Sequence, residues 1–565
     1  MQKQLSIFEE DSWGAATCIR TRIGTKNLGA PASCRCVPNC ATATRRRDAC
    51  APRSGSCGVK HRCLGLLLLI VLAICNAWFP LQAQPQSKPD LTVVPPKPAR
   101  EFRGVWVATV SNKDWPSKPG LSVAQQKAEL LDIFDRASRL RLNAVIFQVR
   151  PSCDAFYLSR LEPWSEYLSG QMGQAPEPFY DPLALAIDEA HRRGIELHAW
   201  FNPFRVRMPG GKSTPASNHV SRARSEWVRS YGQQRWLDPS EPAAQQHSLA
   251  VILDVLRRYD VDGIHIDDYF YPYKEKDAAG NLMEFPDEPN WRRYQAGGGK
   301  LSRSDWRRQH VNQFVQTLHT RIKAEKPAVK FGISPFGIWR PGNPKQITGL
   351  DAYEQLYADA RLWLQNGWLD YIAPQLYWQI QPPAQSYPVL LNWWASQNER
   401  KRHLWVGNYS GKVPESWPAE EIVNQVRLTR LQPGASGNIF FNMTSLKNPK
   451  LAKSLVERVY QQPALVPPTP WLDGQAPVKP KANANAHAMG KLRVIFEPGD
   501  TEVPWLWVLQ TRRDGLWTTE ILSGRDKSHD LGRLEARKTD LIALSAMDRC
   551  GNLSPTTVID TRARK

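Results

Sequence analysis

Two adjacent carboxylates follow a short apolar segment near the middle of the chain. Residues 261–272 read Val-Asp-Gly-Ile-His-Ile-Asp-Asp-Tyr-Phe-Tyr-Pro, so Asp267 and Asp268 are followed directly by aromatic rings. On a parallel-sheet scaffold, carboxylates at the C-terminal tip of a strand lie in the mouth of the active site. Glycoside hydrolysis needs one ionised carboxylate and a second one that is protonated. The segment therefore predicts a site for sugar chemistry in an open, solvent-filled cleft.

Alternation along the strands predicts which side chains accompany these carboxylates. In a barrel strand, alternate residues face the lumen and the helical layer. The isoleucines of residues 263–267 belong to the helical layer, so His265 and Asp267 point inward. The same alternation predicts further inward-facing residues on neighbouring strands, namely Gln148, Arg150, His198, Trp200, Asn202, Gln375 and Tyr377.

The two carboxylate functions are assigned unequally by the sequence. Asp267 is the candidate for the ionised group, with His265 and Arg150 holding it in that form if they lie close to it. For the acid, Asp154 is preferred over Asp268, because neighbouring residues on one strand rarely aim at opposite sides of a bond. The structural alternative for Asp267 is a loop cap or an ion pair with Arg150.

The remaining candidates are substrate-binding residues. Aromatic faces suit the apolar faces of sugars, although some of these rings are expected to be ordinary packing residues. The candidate platforms are Trp106, Trp200, Tyr269, Tyr271, Trp339, Tyr377 and Trp378. The candidate polar contacts are Gln148, Arg150, His198, Asn202, His265 and Gln375.

A metal site is the competing chemistry at the same place. His198, His265, Asp267 and Asp268 carry the atoms that a zinc or manganese hydrolase uses, as in a carbohydrate deacetylase. No His-x-His or His-x-x-x-His pair is present near these strands. The sequence therefore predicts neither a metal nor another cofactor.

Strand-like and helix-like segments alternate from about residue 100 to residue 461, which is typical of a parallel sheet with helices outside it. The candidate strands are 103–110, 142–149, 195–201, 263–267, 329–334, 371–376, 404–408 and 438–442. Eight is the number that closes a (β/α)₈ TIM barrel, which is the predicted fold class. Ser122, Asp181 and Ser240 are the predicted starts of three of the helices.

The chain changes character beyond the barrel. Residues 462–490 are rich in Pro, Ala, Asn and Lys and predict a semi-rigid linker. Residues 491–565 contain short alternating segments between turns, which predicts a small β-sandwich. Its last hairpin, at residues 546–552, resembles that of fibronectin type III modules.

The N-terminal part predicts export. Residues 59–83 have the charged start, apolar centre and small-residue end of a secretory signal peptide, and residues 84–99 form a spacer. Residues 1–58 are interpreted as an extension outside the native protein. Cys75 is the alternative as a lipid-attachment site and the one expected link to a membrane. The protein is thus expected in the periplasm or outside the cell, and attachment to the envelope through a lipid at Cys75 is the alternative.

Composition limits the partners. The formal charge of +20 is spread through 565 residues without a basic helix, so a nucleic acid is not expected as a partner. The expected partner is an anionic polysaccharide of the cell envelope. Only Cys153 and Cys550 of the ten cysteines lie beyond Cys75, so no disulfide framework is expected. The sequence does not determine the oligomeric state.

Seven motifs, in order, resemble the glycosyl-hydrolase-like family 10 of bacterial envelope proteins. They are Phe-Arg-Gly-Val-Trp (102–106), Gln-Val-Arg-Pro (148–151), Asp-Ala-Phe-Tyr (154–157), Glu-Pro-Trp-Ser (162–165), His-Ala-Trp-Phe-Asn-Pro (198–203), the segment 262–272, and Ala-Pro-Gln-Leu-Tyr-Trp (373–378). The resemblance covers residues 100–460. It implies a barrel and, for at least one relative, cleavage of peptidoglycan strands that lack stem peptides.

The segment 262–272 also resembles the Asp-Gly-Phe-Arg-x-Asp pattern of α-amylase-type barrels. That likeness implies a nucleophile at Asp267, with His265 where the pattern has arginine. The fifth strand ends in Ile-Ser-Pro-Phe-Gly (333–337) and has no glutamate to match the amylase acid. The acid, and the choice between retention and inversion, therefore stay open.

The sequence as a whole predicts a glycoside hydrolase of a cell-envelope glycan, specifically peptidoglycan strands. The alternatives are a non-catalytic glycan-binding barrel and the metal-dependent deacetylase.

Overall fold

The computed structural model describes residues 93–562. The predicted N-terminal extension, the signal peptide and Cys75 lie outside the described residues. Within them, no helix combines the length and the apolar character that crossing a membrane requires.

Eight parallel strands close into a barrel, as the sequence predicts. The strands are β1 (Phe102–Val107), β2 (Ala144–Arg150), β3 (Glu196–Phe201), β4 (Gly263–Ile266), β5 (Lys330–Ile333), β6 (Tyr371–Ile372), β7 (His403–Asn408) and β8 (Ala435–Phe440). Each strand pairs with its neighbours in chain order, and β8 pairs with β1. The (β/α)₈ fold class is therefore confirmed.

One longer helix follows each strand. These helices are α1 (Val123–Arg139), α2 (Pro182–Arg192), α3 (Pro242–Arg258), α4 (Arg303–Glu325), α5 (Ala360–Asn366), α6 (Tyr387–Ser396), α7 (Ala419–Leu431) and α8 (Pro449–Arg458). Shorter α-helices lie in the loops at Glu166–Ser169, Val220–Ala223, Glu288–Ala296 and Ala352–Gln355. Single 3-10 turns span Val110–Asn112, Ser225–Trp227, Pro383–Gln385, Ser410–Lys412 and Met443–Lys447.

Side-chain caps set the starts of these helices. Ser122 and Gln125 form the predicted capping box before α1. Asp181 caps α2, with Pro182 at its first position. Ser240 does not cap α3, contrary to prediction; the cap is Glu241, because Ser240 bonds to Asp238 instead.

The core has two layers, as expected for a barrel. Outward-facing residues of the strands, such as Ile264 and Ile266, pack against the helices in one large cluster. The lumen holds a second cluster rich in aromatic rings, with Phe102, Trp106, Trp200, Tyr371 and Trp405 among its members. This filled lumen forms the floor beneath the strand ends.

Strand β6 is much shorter than predicted. It spans only Tyr371–Ile372, because Pro374 has no backbone N–H to continue the ladder. Gln375 nevertheless makes isolated bridges with Phe336 and Gly407. These bridges hold the Gln375 backbone between the ends of β5 and β7.

A small antiparallel sheet is inserted after β3. Its strands are Arg205–Arg207, Val228–Tyr231 and Gln234–Leu237. The Trp236 indole N–H donates to the carbonyl oxygen of Phe270 at 2.9 Å, and the Tyr231 hydroxyl donates to that of Met283. The insertion therefore supports the loop that follows β4 and carries the adjacent carboxylates.

The C-terminal part forms two antiparallel sheets. The three-stranded sheet contains β9 (Lys481–His487), β10 (Lys491–Glu497) and β13 (Ser528–Leu531), and the four-stranded sheet contains β11 (Leu506–Arg513), β12 (Leu516–Ser523), β14 (Thr539–Met547) and β15 (Thr557–Asp560). A 3-10 turn at Ala488–Gly490 and a helix at Arg533–Lys538 complete this part. Apolar residues of both sheets share one cluster, which is the arrangement of a sandwich.

The segment predicted to be a linker is packed against the rest of the chain. Leu465 and Val466 are buried, and the Trp471 indole N–H donates to Asp370 at 2.9 Å. Strand β9 also begins within the range 462–490. Apolar side chains at both ends of this Pro-rich stretch give it a fixed course along the barrel.

Candidate active site

Asp267 and Asp268 come directly after β4, at the C-terminal end of the barrel. Both are nearly buried, with exposed fractions of 5% and 2%. The expectation of carboxylates standing in open solvent is therefore wrong. Tyr269 and Tyr273 of this loop and Tyr377 of the loop after β6 lie close enough to interact electrostatically with the pair.

Asp267 is anchored from the neighbouring strand. The side-chain amide of Asn202, just after β3, donates to Oδ2 of Asp267 at 2.6 Å. The other oxygen, Oδ1, is buried and has no hydrogen-bond partner. Burial, reinforced by the charge of Asp268, raises the pKa of Asp267 to about 7, although Arg205 and Asn202 act in the opposite direction. Asp267 is therefore suited to carry a proton near neutral pH.

Asp268 points towards a different set of partners. The Tyr273 hydroxyl donates to its Oδ2, and the amide of Gln375 also favours its charged form. Burial raises the pKa of Asp268, and these two donors oppose the increase. The two carboxylates thus differ: Asp268 has donors that stabilise its charge, whereas Asp267 has a free oxygen.

Asn202 is held in one orientation by a chain of hydrogen bonds. The Gln148 amide donates to Oδ1 of Asn202 at 2.6 Å, which leaves the Asn202 amide to face Asp267. Oε1 of Gln148 in turn accepts from the backbone N–H groups of Thr109 and Val110 at 2.8 and 2.9 Å. Both predicted substrate contacts, Gln148 and Asn202, are therefore used to position Asp267.

Arg150 is predicted to hold Asp267 in its ionised form, but it binds other groups. Its guanidinium binds Glu162 at 2.6 and 2.8 Å and donates to the backbone oxygen of Asn202 at 2.6 Å. This pairing outweighs burial and lowers the pKa of Glu162 to about 2. The cation that acts on Asp267 is instead Arg205, which lies over the Tyr269 ring at 4.3 Å.

Asp154, the preferred acid of the sequence analysis, lies in the buried loop after β2. Its Oδ1 accepts the backbone N–H of Ser152 at 2.9 Å, and burial raises its pKa to about 7. Among the described residues, no hydrogen bond joins Asp154 to Asp267 or Asp268. Asp268 follows Asp267 directly in the chain, whereas Asp154 belongs to a different loop, in which Cys153 has a φ of 52°.

A column of buried polar groups runs through the lumen below the carboxylates. Nδ1 of His265 lies 3.0 Å from the Tyr371 hydroxyl, which lies 2.8 Å from Nδ1 of His198. Nε2 of His198 lies 3.0 Å from Glu196, and Glu196 pairs with Lys330 at 2.9 Å. His198 is thus a core residue in contact with other core residues, not a substrate contact.

The direction of each hydrogen bond in this column follows from Trp106. Its indole N–H can only donate, and it lies 3.2 Å from Nε2 of His265. Nδ1 of His265 must then carry the hydrogen and donate to Tyr371, whose own hydrogen goes to His198. His198 donates in turn to Glu196. Burial lowers the pKa of His265 well below its ordinary value, in agreement with a neutral ring.

Five of the seven predicted aromatic platforms fall into two groups, whereas Tyr271 is buried and Trp339 stacks on Trp393. Trp106 and Trp200 are buried in the lumen, where they pack as core residues. Tyr269 and Trp378 are half-buried, and Tyr377 is nearly buried against Tyr409 at 5.0 Å. We define the aromatic collar as the rings around the carboxylates, namely Tyr269, Tyr273, Phe336, Tyr377 and Trp378.

The collar is connected ring to ring. Tyr269 meets Tyr273 edge-on at 5.5 Å, Tyr273 meets Phe336 at 6.4 Å, and Phe336 meets Trp378 at 5.6 Å. Gln375 is oriented beside it by donating to the Ser334 backbone oxygen at 2.9 Å. The collar provides half-exposed apolar faces beside two acids, which is a surface suited to a sugar ring.

The residues of the proposed metal site are used in other ways. Nε2 of His265 faces Trp106 and Ser334, and His198 faces Tyr371 and Glu196. Within residues 93–562, no group of three or more His, Cys, Asp or Glu side chains is arranged to hold a metal ion.

Sequence reasoning missed several residues that shape this site. They are Glu196, Arg205, Tyr273, Lys330, Ser334 and Tyr371. Inward alternation on β6 would have identified Tyr371. Arg205 lies in the insertion after β3, where strand alternation no longer applies, so no local signal identifies it.

Comparison with known proteins gives one consistent result. The chain matches the family described as Glycosyl hydrolase-like 10 over residues 101–423. Glycosyl hydrolase YngK of Bacillus subtilis (strain 168) is 46% identical over 398 residues, which are 68% of this chain and 76% of that protein. Glycosyl hydrolase DigH of Escherichia coli (strain K12) is 34% identical over 433 residues, which are 69% of this chain and 94% of that protein. The chain therefore belongs to the glycosyl hydrolase-like family 10.

Proposed function

We propose that this protein hydrolyses glycosidic bonds in a cell-envelope glycan, specifically the glycan strands of peptidoglycan. The observation that carries the proposal is the pair Asp267 and Asp268. Asp267 has a pKa raised to about 7 and an oxygen without a partner, whereas Asp268, whose pKa burial also raises, accepts a hydrogen bond from Tyr273. A glycosidase needs a proton donor of this kind at neutral pH.

Other features support the choice of substrate. The half-exposed rings of the aromatic collar suit sugar faces, and a formal charge of +20 favours an anionic polymer of the envelope. Membership of the glycosyl hydrolase-like family supports a glycosidase more generally. The signal-like residues 59–83 support a place in the periplasm or outside the cell.

The direct test is hydrolysis of purified peptidoglycan strands from which the peptides have been removed. We expect the wild-type protein to release new reducing ends. Asp267→Asn should lower the rate by about 10²- to 10⁴-fold, because the amide cannot donate and recover a proton. The matched control is Asp514→Asn, an exposed carboxylate of the small domain, which should leave the rate unchanged.

The other outcomes identify the alternatives. Co-sedimentation with the strands without any release of reducing ends would indicate a glycan-binding barrel. Release of acetate that stops on addition of a chelator would indicate a deacetylase. Equal rates for wild-type protein and Asp267→Asn would contradict the assignment of the site.

A further inference from the structure

We propose that the substrate supplies its own nucleophile: the 2-acetamido group of the sugar attacks the anomeric carbon, Asp267 is the acid and base, and Asp268 is the anion that holds the acetamide N–H. This inference rests on the glycosidase function proposed above and deepens it. It restricts the substrate to glycans of 2-acetamido sugars.

The first argument is the position of the two carboxylates. The usual glycosidase pair flanks the scissile bond, about 5–5.5 Å apart for retention or about 6.5–9.5 Å for inversion. Asp267 and Asp268 are consecutive residues at the end of a single strand, β4, so they lie on one wall of the site. One wall can carry an acid and its helper, but not a second carboxylate on the opposite face of the sugar.

The second argument concerns the contacts of the other buried carboxylates in the strand-end loops. Two of them bind arginine: Glu162 binds Arg150, and Asp287 binds Arg307. Asp114, Glu166 and Asp238 accept hydrogen bonds from backbone N–H groups. Asp154 accepts one at Oδ1, and its buried Oδ2 has no partner. Within the described residues, the remaining buried carboxylates are Glu101, Glu189, Glu196, Asp262 and Asp370, which precede or begin strands or lie on a helix. These contacts favour a nucleophile that the substrate supplies.

The third argument is the unequal environment of the pair. Asp268 accepts from the Tyr273 hydroxyl, and Gln375 also favours its charged form, so these two donors oppose the effect of burial on its pKa. An ionised Asp268 has lone pairs left for an amide N–H. The Asn202 amide and the Tyr269 backbone N–H favour the charged form of Asp267, and its buried Oδ1 has no hydrogen-bond partner. That oxygen is the atom that would carry the proton to the leaving group.

The chemical steps balance. In the first step the acetamide oxygen forms a bond to the anomeric carbon, the glycosidic bond breaks, and the Asp267 carboxyl gives its proton to the leaving oxygen. The oxazolinium ring that forms is positively charged, and its N–H is held by ionised Asp268. In the second step water attacks the anomeric carbon, ionised Asp267 takes a proton from that water, and the ring opens to the acetamide. The net change is hydrolysis.

The geometry of participation also limits the linkage. The acetamide must attack from the face opposite the leaving group, so the two substituents must be trans on the ring. In sugars of the gluco series this means a β-linkage. Two displacements at one carbon give overall retention.

The test compares substrates on the wild-type protein, so it does not depend on how a variant folds. The probes are nitrophenyl β-glycosides of N-acetylglucosamine oligomers and the same compounds with N-trifluoroacetyl groups, whose oxygen is a poor nucleophile. We expect the rate to fall by more than about tenfold on this change and the first product to be the β-anomer. Equal rates, or a first product that is the α-anomer, would overturn the inference while leaving the glycosidase function intact. No hydrolysis of any glycan would overturn both.

Two variants separate the parts played by the pair. With a leaving group that needs no proton, such as dinitrophenolate, Asp267→Asn should still complete the first step, whereas Asp268→Asn should remain slow. Added azide should restore turnover of Asp267→Asn by replacing the base-assisted water and give a β-azide product. Loss of the first step in Asp267→Asn and its retention in Asp268→Asn would reverse the assignment and contradict the proposal.

Discussion

At the scale of single residues, burial and hydrogen bonding separate two neighbours that the sequence presents as equals. Asp267 has a free, buried oxygen and a pKa raised to about 7, whereas Asp268 accepts from Tyr273. A carboxyl whose pKa is raised by folding lowers the stability of the folded state at pH values where the same carboxyl is already ionised in the unfolded chain. The acid that serves the reaction is therefore a source of instability at neutral pH.

This cost gives a prediction for the pH dependence of stability. Between pH 4 and pH 7 the unfolded chain has lost the Asp267 proton and the folded protein has kept it, so the free energy of unfolding falls as the pH rises. Asp267→Asn lacks this proton, and its stability relative to wild type should rise by about 2–4 kcal/mol over that interval. Denaturant unfolding at several pH values measures the difference.

Asp514→Asn is the control for that experiment, and its curve should run parallel to that of the wild type. A constant difference between Asp267→Asn and wild type at all pH values would contradict a raised pKa at Asp267.

At the scale of elements, the column of buried polar side chains in the lumen connects the strands β3, β4, β5 and β6. Glu196 and Lys330 close the column at its lower end with a side-chain pair that is almost fully buried. Donation runs from His265 through Tyr371 and His198 down to Glu196. Because His265 contacts Ser334, whose backbone oxygen orients Gln375, the column supports one wall of the site.

Removing the charge of Glu196 at the lower end of the column should lower the stability of the protein. Glu196→Gln leaves the Lys330 ammonium buried without a counter-charge, which should lower the free energy of unfolding by about 3–5 kcal/mol. The double variant Glu196→Gln with Lys330→Met removes both charges and should recover a large part of that loss. Thermal and denaturant unfolding of the single and double variants measure the coupling. Equal losses in the two would show that the pairing does not stabilise the barrel.

At the scale of the whole molecule, the small domain is attached to the lower end of the barrel. Arg549 donates to Asp262 at 2.7 Å and to Asp260 at 2.6 Å, and its guanidinium lies over Trp505 at 4.7 Å. Burial alone would raise the pKa of Asp262, but the charges of His191 and Arg549 lower it below its ordinary value. The small domain therefore supplies a positive charge to a buried carboxylate, Asp262, at the N-terminal end of β4.

Loss of that cation should weaken the protein in a pH-dependent way. Arg549→Met should lower the free energy of unfolding by about 1–2 kcal/mol at pH 7, a modest value because solvent partly screens Arg549. A carboxyl whose pKa is lowered by folding, such as Asp262, stabilises the folded state at pH values above its ordinary pKa, and this contribution disappears as the pH falls. The difference in stability between Arg549→Met and the wild type should therefore shrink towards pH 2. Calorimetry at several pH values tests this. Arg493→Met, which breaks an exposed pair with Asp530 in the same domain, should change little at any pH.

The sequence by itself determined the barrel, its eight strands and the place of Asp267 and Asp268 at a strand end. Apolar alternation, caps and turns are local signals, so they specify which segments become strands or helices and which side faces inward. The short β6 and the cap at Glu241 are the local details that differed, the first because Pro374 cannot extend the ladder.

Only the tertiary structure decided which hydrogen bonds and ion pairs the site residues form. The choice of Arg205 over Arg150 and the free oxygen of Asp267 depend on residues far apart in the chain. Burial and hydrogen-bond partners decide which carboxyl keeps a proton, and neither exists until the barrel has closed. Residue types and spacing therefore reveal what chemistry is available, whereas folding decides which atom performs it.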